Sequence, residues 1–237
     1  MNIAARFCVL PLVAAMCSSA WAVPLAASPG RTSLSGTTAA LQPQLAGPVL
    51  EDRTVPFSFD LPVVFGVGGG RVSGFIQERV VRSSLDGTLD FYWRVTNDAN
   101  SKQPIGKVLL DGFEVGAPDG NWRTDSLGQV GAKYGSHDGV QVTFGFDEIF
   151  DIIRFGGIAP GSSSHFFYLD TQATTYADTG TASIGSFCTG DVSSFCFGGQ
   201  SAAMSTFAPS AVPEPSTAAL LMVGALAGAL VRRRRDR

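Results

Sequence analysis

Residues 89 to 96 alternate without a fault: Leu89, Phe91, Trp93 and Val95 are apolar, while Asp90, Tyr92, Arg94 and Thr96 between them carry polar groups. A period of two sends successive side chains to opposite faces of an extended chain, so the segment predicts a strand with one dry face and one wet face. Asp86-Gly87 in front of it, and Asn97, Asp98 and Asn100 behind it, are turn formers. Val55, Phe57, Phe59 and Leu61 repeat the design, as do Val140, Val142, Phe144 and Phe146. Weaker strands fall at Val72 to Arg82, Val108 to Val115, Ser164 to Thr171 and Thr181 to Cys188, with a phase slip near Gly112 that suggests a bulge. One segment departs from this period: Ile149, Ile152 and Ile153, behind Asp147 as a cap, predict a short helix over Asp147 to Arg154. Many short strands, glycine-rich turns and seventeen Phe predict an all-β fold, an antiparallel β-sandwich that is jelly-roll-like or immunoglobulin-like.

The two ends of the chain are not part of that fold. Phe7 to Met16 is an apolar stretch behind the single charge of Arg6, and Ala20-Trp21-Ala22 is the small-x-small site after which signal peptidase cuts. Residues 1–22 therefore read as a signal peptide, with Val23 as the first mature residue. At the other end, Pro213-Glu214-Pro215 precedes fifteen uncharged residues, Thr217 to Val231, and then Arg232, Arg233, Arg234 and Arg235. As a helix that run reaches only about 22 Å, against a bilayer core of about 30 Å, so it predicts a short span whose flanks must snorkel. The arginines act as a stop on the cytoplasmic side, which leaves everything before Pro213 facing outward.

This order of parts resembles the PEP-CTERM proteins: a cleaved signal peptide, a variable exported domain, Pro-Glu-Pro, a short span and an arginine cluster. Pro213, Glu214 and Pro215 carry the likeness, with Val212 and Ser216 as typical neighbours and Arg232 to Arg235 as the basic end. The resemblance implies that exosortase, a membrane protease-transpeptidase, recognises the tail at 212–237, removes the span and passes the protein toward the cell surface. It implies signal peptidase and exosortase as partners during export, a transient anchor in the inner membrane and a final place at the cell surface or outside the cell. It also points to an envelope or exopolysaccharide layer, the matrix of a biofilm, as the surroundings.

Between Val23 and Val212 eleven basic residues face eighteen acidic ones, a net charge of about −7. An acidic body with scattered arginines and lysines argues against a nucleic-acid partner. Cys188 and Cys196 remain once the signal is gone, and Gly190-Asp191 between them can turn the chain, so they predict a hairpin closed by a disulfide in an oxidising compartment. Residues 23–50 and 198–211, rich in Ala, Ser, Thr, Gly and Pro, read as a flexible N-terminal segment and a linker, which leaves 51–197 as the sandwich.

The search for chemistry is mostly negative. Gly66 to Gly70 lacks both phosphate-loop spacings and reads as a turn. Gly135-Ser136-His137-Asp138-Gly139 holds the residue types of a catalytic triad, but neighbours in one turn cannot line up as nucleophile, base and orienter. His165, in front of Phe166-Phe167-Tyr168-Leu169, reads as a packed histidine. Neither histidine has a local ligand partner, so neither a metal nor a cofactor is expected. The expectation is a non-catalytic surface or matrix protein. A carbohydrate-binding module, using Tyr92, Trp122 and Tyr134, is the alternative, and a secreted hydrolase stands behind it.

Overall fold

The computed structural model describes residues 22–64, 67–113, 118–150, 153–187 and 199–210. Its long strands lie where the alternation is strongest. One antiparallel sheet has six strands in the order Val23–Pro24, Asp119–Trp122, Phe167–Asp170, Leu89–Asn97, Arg71–Arg82 and Val49–Asp60. The other has seven strands: Met204–Pro209, Tyr176–Ser186, Ile105–Asp111, Gln141–Gly145, Tyr134–His137 and Ala26–Ala27 in order, with Thr32–Ser33 also paired to Tyr134–His137. That second sheet is mixed, because Ala26–Ala27 runs parallel to Tyr134–His137.

The apolar faces of the two sheets meet. Phe91, Trp93, Val95, Phe167 and Leu169 from the six-stranded sheet share one buried cluster with Val108, Leu110, Phe144 and Ile184 from the other. The rings of Phe144 and Phe167 touch across the gap, 4.9 Å between centroids. Each such side chain contributes roughly 1.5–3 kcal/mol by leaving water. Polar ties pin the layers as well. Trp93 Nε1 donates to Thr206 Oγ1 at 2.8 Å in the interior. Arg53 donates to Glu78 Oε2 at 2.7 Å, to both carboxylate oxygens of Asp178 and to the Ser205 carbonyl, which joins the two sheets at one edge.

Several expectations are corrected by the packing. Residues 23–50 are built into the body: they supply three short strands and the 3-10 turn Pro43–Leu45, and Leu25, Leu34 and Leu45 are all buried. These leucines follow no period because Leu25 and Leu34 enter the core between the sheets while Leu45 enters the smaller cluster on the outer face. Residues 198–211, read as a linker, include the edge strand Met204–Pro209, which buries Thr206 and Ala208. The expected helix at Asp147 to Arg154 is a hairpin, with Asp147 opposite Gly156 and Phe150 opposite Ile153. β-Branched isoleucines lose side-chain freedom in a helix, and eight residues are too few to offset helix nucleation. Asp147 is 1 % exposed and accepts a hydrogen bond from Tyr134 Oη instead of capping.

The slip at Gly112 is not a bulge. Its strand ends at Asp111, and Gly112 leaves the sheet with φ of +97°. Register irregularities occur instead between Val49 and Glu51, between Ala177 and Gly180 and between Gly185 and Ser186. Val140 stands outside its strand, exposed, in a turn where Asp138 Oδ1 accepts the N–H groups of Val140 and Gln141.

The largest departure is the second face of Leu89–Asn97. Asp90 and Tyr92, expected in water, are 1 % and 4 % exposed. The N-terminal segment lies across that face as a roof: Ala22 and Leu45 cluster with Val81, Tyr92, Phe166 and Tyr168. Tyr92 Oη donates to the Leu45 carbonyl at 2.9 Å, and Tyr168 Oη to Gln42 Oε1 at 2.7 Å.

Candidate functional site

Among the residues expected to carry function, Ala20, Cys188, Cys196, Pro213, Glu214, Pro215 and Arg232 to Arg235 lie outside the described residues, as does the apolar run 217–231. Among the described residues no helix is long and apolar enough to cross a membrane. Ala22 is described, and is buried in the outer-face cluster immediately before the first strand, in which Val23 pairs with Gly120.

The three aromatic candidates do not share a surface. Trp122 faces the inter-sheet side and packs against the main core. Its ring is 5.1 Å from that of His165, and added Cβ atoms at Gly36 and Gly131 would collide with it, so both of its sides are filled. Tyr134 belongs to the other sheet and lies under the guanidinium of Arg31, 4.2 Å from its centroid. Tyr92 alone is on the outer face of the six-stranded sheet. The two histidines are likewise apart in role: His165 Nδ1 is held 2.9 Å from the Ser126 carbonyl, whereas His137 is in Tyr134–His137 on the other sheet.

Tyr92 lines the cavity that stands out on the outer face, about 470 Å³ in volume and framed by the roof residues Leu45 to Gly47 and the Ser126-Leu127 loop. Three arginines reach it, Arg79, Arg94 and Arg123, against one lining carboxylate, Asp125. The alternation of the strands makes this arrangement: Arg79 sits directly across from Tyr92, and Arg94 follows Tyr92 by two positions on the same face. Arg123 grips Asp125 through two bonds of 2.7 and 2.8 Å and holds its carboxyl down at about 2. Arg79 is paired with Asp52 and lies over the Phe166 ring at 4.8 Å. Arg94 differs. Its Nη2 donates to Ser163 Oγ at 2.9 Å, its Nε is buried without an acceptor, and no carboxylate meets it among the described residues. These arginines are scattered along the sequence; parity on adjoining strands could have grouped Arg79 with Arg94, whereas Arg123 lies just past the end of Asp119–Trp122 and gives no such signal.

A second polar group lies on the same face. Asp90, Asp170 and Asp119 occupy directly opposite positions on three neighbouring strands. Burial, and then the charge of Asp170, pushes the Asp90 carboxyl up to about 9; burial, and then Asp119, raises Asp170 to about 6. The Asp90 oxygens find no protein donor, which suits a neutral carboxyl that donates its own proton to Asp170. No group of three or more His, Cys, Asp or Glu among the described residues is placed to hold a metal ion.

No curated protein and no solved structure matches the chain. Residues 211–235 match the family described as the PEP-CTERM protein-sorting motif. That motif implies export, processing by exosortase and sorting to the cell surface. The match begins directly after Ser210, the residue whose N–H and C=O close onto Thr175 at the end of the last paired strand. The chain is thus a PEP-CTERM motif-containing protein, with the sorting signal joined directly to an all-β body of two packed sheets.

Proposed function

We propose that this is a non-catalytic cell-surface or extracellular-matrix protein, trimmed at its front by signal peptidase and at its tail by exosortase. The sorting motif at 211–235 is the observation that carries this reading. Its junction with the last strand supports it: removal of the tail leaves every described strand intact. Cleavage after Ala22 would likewise leave Val23 paired with Gly120. The non-catalytic part is supported by the separation of the two histidines: His165 packs against Trp122 with Nδ1 on the Ser126 carbonyl, and His137 is on the other sheet. The sheets fit a sandwich of the jelly-roll or immunoglobulin type, an architecture used widely for surface units.

The test is a Glu214→Ala chain expressed in a host with exosortase, followed by membrane fractionation and immunoblotting. The parent should appear as a shortened species outside the inner membrane, and the variant as a longer species retained there. Equal processing of both would refute sorting through the motif. A second reading, a carbohydrate-binding module of the envelope, is favoured by one observation, the cavity lined by Tyr92.

A further inference from the structure

We propose that the outer-face cavity binds a carboxylate-bearing sugar, such as a uronate unit of an acidic polysaccharide, with the carboxylate on Arg94. The proposal rests on the carbohydrate-binding reading and narrows it to one chemical class and one anchoring residue.

Charge is the first argument. The body from Val23 to Val212 carries a net charge of about −7, yet three guanidinium groups converge on this cavity with a single lining carboxylate. Two of them are already matched, Arg123 by Asp125 and Arg79 by Asp52. Arg94 is left with a hydroxyl partner and a buried N–H that has no acceptor. Half-burying a guanidinium without a counter-charge is unfavourable, and a carboxylate is a better acceptor for its Nη groups than any neutral group. One unmatched cation calls for one acid group, which is what a single uronate residue supplies.

Shape and surroundings select the rest of the ligand. A volume of about 470 Å³ lies in the range of small-ligand sites and suits one or two sugar rings. The rim carries Leu127 and Val49, exposed by 75 % and 48 %, against which the C–H face of a ring can rest. An acidic peptide would look for main-chain partners on a free strand edge. Here the floor is formed by Leu89–Asn97 and Arg71–Arg82, interior strands paired on both sides, so the floor itself offers side chains and no free strand edge. The Leu45 carbonyl at the rim is already taken by Tyr92 and Arg123. The net negative charge of the body as a whole disfavours long polyanions, which leaves the recess to read a chain terminus or an isolated acid unit.

Titration calorimetry on the purified full-length chain in detergent tests this, with tri-galacturonate as the probe and maltotriose and tri-glutamate as comparisons. Tri-galacturonate should bind, weaken with added salt, and lose roughly tenfold or more in affinity in Arg94→Gln, the loss of one charged hydrogen-bonding group. Arg94→Lys should recover only part of it, since the planar fork is gone. Leu127→Glu, an exposed change that leaves the interior alone, should weaken binding comparably and so stands as a control should Arg94→Gln fail to fold. Equal affinity in parent, Arg94→Gln and Leu127→Glu overturns the proposal. Equal binding of maltotriose overturns the acidic specificity and keeps the carbohydrate reading. Binding of tri-glutamate alone overturns both, as does binding of none of the three.

Discussion

At the scale of single residues, Asp90 carries the clearest energetic consequence. Its carboxyl is lifted to about 9 and that of its neighbour Asp170 to about 6, whereas an unfolded chain titrates aspartate near about 3.9. The folded state therefore holds protons that the unfolded state has released. Stability present at pH 4 is lost as pH rises toward 9, the opposite of the usual salt-bridged aspartate. The charges that bear on Asp90 are Asp170 and Asp86, which raise it, and Arg123, which lowers it. Asp90→Asn keeps a donor toward Asp170 without an ionisable group, and should raise stability at pH 8 by about 1–3 kcal/mol. Urea unfolding at pH 5 and pH 8 checks this; an unchanged pH slope in the variant would place the source elsewhere. The dry face of this strand was legible from Leu89, Phe91, Trp93 and Val95. The burial of Asp90 and Tyr92 was not, because a local pattern records polarity and not what later folds over it.

Among the elements, the roof formed by residues 22–48 teaches the same point. Its leucines show no period, since Leu25 and Leu34 turn into the core between the sheets and Leu45 into the outer-face cluster, so composition alone reads the segment as a spacer. Leu45, 1 % exposed, closes the roof over Tyr92 and Tyr168. Leu45→Ala should therefore cost about 2–5 kcal/mol, as buried leucine truncations do, measured by urea unfolding. A truly flexible segment would lose nothing. The Asp147 hairpin departs from the expected helix for a related reason: isoleucines at helical spacing also favour strands, and antiparallel pairing of 147–150 with 153–156 decides between the two. Long strands fared better. The Val49–Asp60 strand lies at a sheet edge, where Pro56 offers no N–H and Glu51, Asp52 and Arg53 blunt the exposed margin against other chains.

For the whole molecule, fold class and sorting signal were both legible, the one in repeated alternation and the other in a contiguous motif. The cavity was not, because its arginines come from positions 79, 94 and 123 and meet only through strand order. Intact mass spectrometry of exported protein should show a chain that starts at Val23 and is lighter by a pair of hydrogens for a Cys188–Cys196 disulfide; a mass that includes residues 1–22 would refute the signal reading. The place where the tail joins the body also has a mechanical outcome. Any tension transmitted from a tethered C-terminus first loads Met204–Pro209, an outermost strand held by one neighbour, in a peeling geometry. Arg53 on the Ser205 carbonyl and Trp93 on Thr206 act as two rivets along that seam, so under drag the body yields only after they let go.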